Sequence, residues 1–368
     1  MNPRNQALDV LRAVAILLVL GRHVRYYAFW TRIGWIGVEL FFVLSGFLIS
    51  GLLFQEFQRT GGIDYKKFVL RRGMKIWPSY YVLFTVAIVI VAFGNFAFHT
   101  WPDGFPYSRV LAHALFLQNY GYHTFFYLRP LEHTWSLAVE EHFYLLLPLF
   151  LISVIHLNRK RKDPFVAVAY VSVLFFFACL ALRMTSPLPG SQPILAATHL
   201  RIDSLFAGVA IGYLFHFRRR WFQRIAEPHM LLFIPIFCSP AFFLESNSRW
   251  MQIYGLSCLV LGFVIVVAWS VEKDPSKLLG KKVASTFSRI GRDSYSIYLW
   301  HYPLALYFSF VRSSAIVFWF YLALAITLGM MMTKAVEQPF LRLRDRVLPS
   351  SKLVELERTP ASSLAPAD

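Results

Sequence analysis

Charge is scarce in this chain. Only 15% of its 368 residues are Asp, Glu, Lys or Arg, and acids are the scarcer kind, 20 against 37 bases. A soluble domain of this length needs a polar surface, which a 57% hydrophobic composition and a mean hydropathy of +0.50 cannot supply. Cysteine is nearly absent. Cys179, Cys238 and Cys258 are odd in number, far apart and set in apolar runs, which argues against a disulfide framework or a zinc-ligand spacing. Glycine-rich nucleotide loops, metal-ligand clusters, a zinc-peptidase helix and internal repeats are also missing. What the sequence has in quantity is apolar runs of about 20 residues, the length that crosses a bilayer.

Ten such runs are expected, over 8–28, 35–56, 76–98, 135–157, 164–184, 199–217, 229–246, 251–271, 293–312 and 315–336. The fold class is therefore all-α, a polytopic membrane bundle over residues 1–345, followed by a disordered cytoplasmic tail over 346–368. The run 108–118 is too short to span and reads as a re-entrant or interfacial helix. The polar start, Arg12, and an end at Gly21-Arg22-His23 without a small-residue cleavage site mark the first run as a retained helix, not a signal peptide.

With the N-terminus inside, the inner loops hold 20 Lys and Arg and the outer loops 6. That is the positive-inside pattern, with both termini cytoplasmic in a bacterial inner membrane. It also accounts for most of the +17 net charge, so no nucleic-acid partner is expected. The longest outer loop, 99–134, is rich in Trp, Tyr, Phe, His and Pro, and serves either to stack on sugar rings or as an interfacial aromatic belt.

Ionisable residues inside lipid-length segments are costly unless they face a protein interior or a water-filled site. Arg12 and His23 are eleven residues apart, about three helical turns, so they share one stripe roughly 16 Å long. Glu39 opens the second run, and the small pair Ser45-Gly46 sits in its middle. These residues are expected to line a chamber within the membrane.

Several stretches then occur in a fixed order. They are Arg12 with His23, Gly37–Leu48 (GVELFFVLSGFL), Arg71–Pro78 (RRGMKIWP), Thr134–Tyr144 (TWSLAVEEHFY), Arg201–Gly208 (RIDSLFAG), Ser294–Pro303 (SYSIYLWHYP) and Val336–Phe340 (VEQPF). Together, from about residue 7 to 343, they resemble the acyltransferase 3 family of transmembrane acyltransferases. The resemblance implies transfer of an acyl group, usually acetyl, from cytoplasmic acyl-CoA to a hydroxyl of an extracytoplasmic glycan, a lipid-linked sugar or a small hydroxylated acceptor. The donor would be a substrate, with membrane lipid around it and no metal. Lys75 stands where the family often has a third Arg, keeping charge but losing bidentate phosphate geometry. Some relatives carry a C-terminal esterase-like domain. This chain is too short for one, so such a partner would be separate.

Acyl transfer needs a base, a cradle for the oxyanion and a grip on the donor. His23 is the candidate base, because imidazole titrates near neutrality. Glu39 would orient it, and Glu140 and Glu141 complete the candidate catalytic set, one of the two facing the chamber since adjacent helical positions diverge by about 100°. Arg12, Arg71, Arg72 and Lys75 would hold CoA, with Pro78 in the first turn of a helix whose free amides suit phosphate. Arg12 has an alternative in a salt bridge with Asp9. Arg201, Asp203 and His301 would contact the acceptor. Alternatively, Arg201 and Asp203 pair with the glutamates, and His301 bonds a carbonyl freed by Pro303. Ser45 suits helix packing better than nucleophilic attack, since no nucleophile elbow surrounds it. Lys334 and Glu337 read as structural. The competing function is a transporter or flippase for an acylated glycan, which internal repeats or matched broken spans would favour and the sequence does not show.

Overall fold

The computed structural model describes residues 5–24, 26–98, 106–120, 128–186 and 196–349. Among them no strand occurs, and the chain is a succession of helices. These are α1 (Gln6–His23), α2 (Ala28–Ile33), α3 (Ile36–Thr60), α4 (Tyr65–Phe98), α5 (Tyr107–Ala114), α6 (Trp135–Leu157), α7 (Val166–Thr185) and α8 (Ile202–Phe217). Then follow α9 (Arg219–Ile225), α10 (Ile234–Phe243), α11 (Leu256–Val271), α12 (Pro275–Leu279), α13 (Lys281–Arg292), α14 (Ser294–Phe308), α15 (Ala315–Met332) and α16 (Gln338–Val347).

Six of the described helices are long and apolar enough to cross a membrane, and a bent pair over 219–243, kinked by 48°, makes a seventh. The other expected spans fall short for identifiable reasons. Helix α1 carries Asp9, Arg12 and Arg22, and α8 and α14 have only 16 and 15 residues.

Two expectations about boundaries are corrected. Helix α4 begins at Tyr65, not near residue 76, so Pro78 lies in its interior. The basic residues ahead of the apolar run are good helix formers and extend the helix by three turns. Arg71, Arg72 and Lys75 therefore stand on a continuous helix, and the expected helix-start amides are not beside them. Helix α16 runs to Val347, past the expected tail boundary at 345. The rest of that tail, from residue 350, and parts of the 99–134 loop lie outside the described residues.

Helix α3 is the axis of the bundle. Its middle crosses α8 where Gly46 meets Gly208, and a Cβ on either would overlap the carbonyl oxygen of Leu205 or Val43. Small residues allow this close approach, which supplies the attraction that lipid-exposed helices otherwise lack. Helix α1 packs beside α3, with Asn5 capping its first turn through Ala7 N at 3.0 Å. At its other end, the indole of Trp30 in α2 donates to Leu17 O at 3.0 Å and fills the space that Gly21 leaves open. Arg22 donates to Thr31 O at 3.0 Å. This corner fixes the last turn of α1, which carries His23.

Candidate active site

Polar groups within the apolar helices gather into two kinds of arrangement. The first is closed. The Glu39 carboxylate is in direct ion-pair contact with Arg201 and accepts from Ser204 Oγ at 2.7 Å. The Arg201 guanidinium also lies over the rings of Phe42 and Trp135. Asp203 pairs with Arg183 at 2.6 Å, and Arg183 reaches Leu200 O and Ser257 Oγ as well. Glu39 and Asp203 are fully buried, and Arg201 is 2% exposed.

These placements correct three expectations. Glu39 is committed to Arg201 and does not orient His23. Arg201 and Asp203 lie buried inside the junction of α3, α7 and α8 and line none of the cavities described below. Their pairing runs to Glu39 and Arg183, not to the glutamates of α6. A charge buried in such a junction requires an opposite charge in contact, and each of these has one.

The second arrangement is open and follows α1 from one end to the other. At the basic end is a vestibule of about 470 Å³ between the C-terminal half of α3, the first turns of α4 and α16. Arg59, Lys67, Arg71, Arg72, Lys75 and Arg344 line it, against one carboxylate, Glu56. Arg71 is tied back to α16 through Asp345 at 3.2 Å and through the Leu348 carbonyl. Its neighbour Arg72 turns inward, over the ring of Tyr144.

Arg72 and Lys75 also line a second, inner cavity of about 90 Å³. Arg12 and Arg292 add two further cations to its wall. Arg12 approaches Asp9 at 3.8 Å, so the expected salt bridge and a place on the cavity wall occur together. Of the two adjacent glutamates, Glu140 faces this cavity. It accepts from Ser45 Oγ at 2.8 Å and from Tyr144 Oη at 2.7 Å. Glu141 points the other way and takes the indole N–H of Trp77 at 3.1 Å. Ser45 is thus a donor to Glu140, and the close packing falls to Gly46.

The linked hydroxyls of Ser136 and Tyr298, 2.6 Å apart, line the same cavity, the Tyr298 hydroxyl donating to His133 O at 2.7 Å, and past them come three imidazoles. His133 lies 5.3 Å from the Tyr298 ring and 5.2 Å from His301, and His301 lies 5.2 Å from His23. The Tyr302 ring meets His23 edge-on at 5.0 Å and stacks on His133 at 4.9 Å, and its hydroxyl donates to Glu132. His23 and Tyr302 open onto a third cavity of about 310 Å³, which Arg129 also lines. Among the described residues no group of three His, Cys, Asp or Glu is arranged to hold a metal ion.

His133 is a site residue that the sequence reading passed over. Pro303 has no N–H, so the carbonyl of Leu299 loses its helical partner. His133 Nε2 supplies that partner at 3.1 Å, which is the role expected of His301. His301 instead uses Nδ1 on Tyr298 O at 2.6 Å. Glu337, expected to be structural, accepts from Ser296 at 3.1 Å within a wide helical turn over Thr333–Glu337.

The chain matches the family model described as "Acyltransferase domain" over residues 5–334. It is 28% identical over 320 residues to O-acetyltransferase OatA of Staphylococcus aureus, covering 82% of this chain and 50% of that protein. Peptidoglycan O-acetyltransferase OatA of Listeria monocytogenes is 29% identical over 320 residues, covering 81% and 49% of the two chains. Putative peptidoglycan O-acetyltransferase YrhL of Bacillus subtilis is 27% identical over 318 residues, covering 81% and 48%. The chain spans about half the length of these curated relatives. No solved structure matches it significantly.

Proposed function

This chain belongs to the acyltransferase 3 family, and from that membership we propose that it is a membrane O-acyltransferase. Its donor is cytoplasmic acyl-CoA, with acetyl as the acyl group. Its acceptor is a glycan hydroxyl on the other side of the membrane, and the names of the relatives favour a peptidoglycan precursor or strand. Adding α1, α8, the bent pair and α14 to the six long helices gives ten crossings, with the basic end of the bundle and both termini in the cytoplasm.

One observation carries this reading. Arg72 and Lys75 line both the cationic vestibule and the inner cavity, so a ligand bound by its phosphates is led into the bundle. Coenzyme A has that shape, with phosphates at one end and a thioester on a long arm at the other. Arg59, Lys67, Arg72 and Lys75 supply charge-assisted contacts to the phosphates, with Arg344 beside them bonded to Asp345 at 2.8 Å. Arg71 joins them when its contact with Asp345 opens. The arm passes Arg12 and Glu140 toward Ser136 and Tyr298.

The acceptor enters from the third cavity. His23 takes the hydroxyl proton as the oxygen attacks the thioester carbonyl. A C–O bond forms, the C–S bond breaks, and the proton passes on to the departing thiolate.

The test is transfer of label from acetyl-CoA to glycan in inside-out and right-side-out vesicles. Label in glycan when CoA is supplied to the cytoplasmic face is the expected result. Transfer only from the opposite face would overturn the direction, and CoA binding without any transfer would overturn the enzyme.

A further inference from the structure

Expelling Glu39 from the histidine cluster leaves His23 without the group expected to orient it. A base on the rim of an open cavity needs such a group, because a neutral imidazole that can exchange its two tautomers presents the wrong nitrogen part of the time. We propose that His301 is that positioning residue, its Nε2 lone pair accepting an N–H from His23 and so turning the other, unprotonated nitrogen of His23 toward the outer cavity. The inference rests on the acyl-transfer role of His23 stated above.

The tautomer of His301 follows from its partner. Tyr298 O is a carbonyl and can only accept, so Nδ1 at 2.6 Å must carry the hydrogen. In the neutral ring Nε2 is then a lone pair. His301 is fully buried, and Nε2 has no hydrogen-bond partner among the described residues. A buried acceptor left unmade costs about 1–3 kcal/mol, so its presence calls for a donor. The nearest ring in the direction of the outer cavity is His23, with centroids 5.2 Å apart and planes tilted by 50°. No hydrogen bond joins the two rings in this structure, so the contact forms by a turn of the His23 side chain that brings an N–H to Nε2.

The surroundings hold this geometry. His133 is pinned by Leu299 O and packs edge-on against His301 at 82°. Tyr302, bonded to Glu132, walls His23 on its other side. The titratable groups facing His23 are therefore His301, His133, Tyr302 and Glu132, with Arg22 on its own helix and Arg129 across the cavity.

Two substitutions separate positioning from mere packing. In His301→Asn the amide can still donate to Tyr298 O but nothing occupies the Nε2 position. In His301→Gln the longer amide places an acceptor oxygen near that position. Carbethoxylation of His23 by diethyl pyrocarbonate, followed by mass spectrometry of its peptide across pH, reads His23 without requiring turnover. The reagent attacks only the neutral imidazole. An acceptor on the far N–H favours protonated His23, so its loss moves the midpoint of modification to lower pH in His301→Asn, and Gln restores it. If His301 were only a neighbouring charge, its removal would move the midpoint to higher pH or leave it unchanged, and the proposal would fall.

Acyl transfer gives the second readout. A decrease of about 10–100-fold in kcat with KM for acetyl-CoA unchanged is expected for His301→Asn, with at least partial recovery in His301→Gln. Equal activities in the two variants would overturn positioning. A midpoint that falls in His301→Asn while the wild type transfers no acyl group would sink the enzyme reading and leave the positioning contact standing.

Discussion

The two sets of ionisable residues in this bundle differ in what they touch. In the junction of α3, α7 and α8, Glu39, Arg201, Asp203 and Arg183 each meet an opposite charge and no cavity. Along α1, the basic vestibule, Glu140 and His23 line cavities, and His133 and His301 pack between Tyr298 of the inner cavity and His23 of the outer one. The residue types overlap, and the burial of Arg201 matches that of His301. Placement in an apolar helix is therefore a poor guide to role. A charge sealed in a helix junction with its partner holds the fold, and one that lines a cavity, even where it has a partner as Arg71 and Arg12 do, can also be reached by a ligand.

Breaking this contrast starts with His23→Ala. Transfer should fall by about 10²–10⁴-fold, the usual worth of a general base, with the unfolding midpoint in detergent unchanged. Loss of stability along with activity would place His23 in the structural set. Glu39→Ala and Arg201→Ala should do the reverse. Removing one member of a buried ion pair costs about 3–5 kcal/mol, read as a lowered Tm and lower yield. The double change Glu39→Leu with Arg201→Leu should cost less than either single one. Single variants that keep wild-type Tm but lose acceptor binding would return Arg201 to the acceptor site.

A finer distinction lies within the vestibule. Arg72→Ala should raise KM for acyl-CoA by about 10-fold or more, the value of one hydrogen-bonded charge contact of 1.5–3 kcal/mol. Arg71→Ala should raise it less, because Arg71 is already held by Asp345 and the Leu348 carbonyl. Equal effects would show that the link to α16 opens when donor binds. Ser45→Ala is the mildest change, about 1 kcal/mol for a hydroxyl bond to Glu140 that the Tyr144 hydroxyl partly backs up.

Much of the site was legible. The eleven-residue step from Arg12 to His23 does put both on one stripe, and that stripe joins an inner cavity at Arg12 to an outer one at His23. The basic stretch Arg71–Lys75 does line a cationic vestibule. The split of adjacent glutamates was legible too, but not which of them faces inward. His133 was missed, although a signal existed. A proline inside an apolar helix frees the carbonyl four residues back, and asking what could take the Leu299 carbonyl leads to a donor from another element.

The sequence by itself determined the all-helical class, the membrane setting and the family, because apolar run length, the distribution of Lys and Arg and the order of motifs are properties of the chain alone. It also determined where ionisable residues interrupt those runs. Only the tertiary structure decided which of them meet. His23 ends α1 and Glu39 opens α3, near each other in sequence, yet they point into different spaces, because α3 is drawn against α8 at Gly46 and Gly208 and presents Glu39 to Arg201. That pairing, and the bond from Ser204 to the same carboxylate 165 residues away in sequence, are set by helix packing across a distance over which periodicity carries no information.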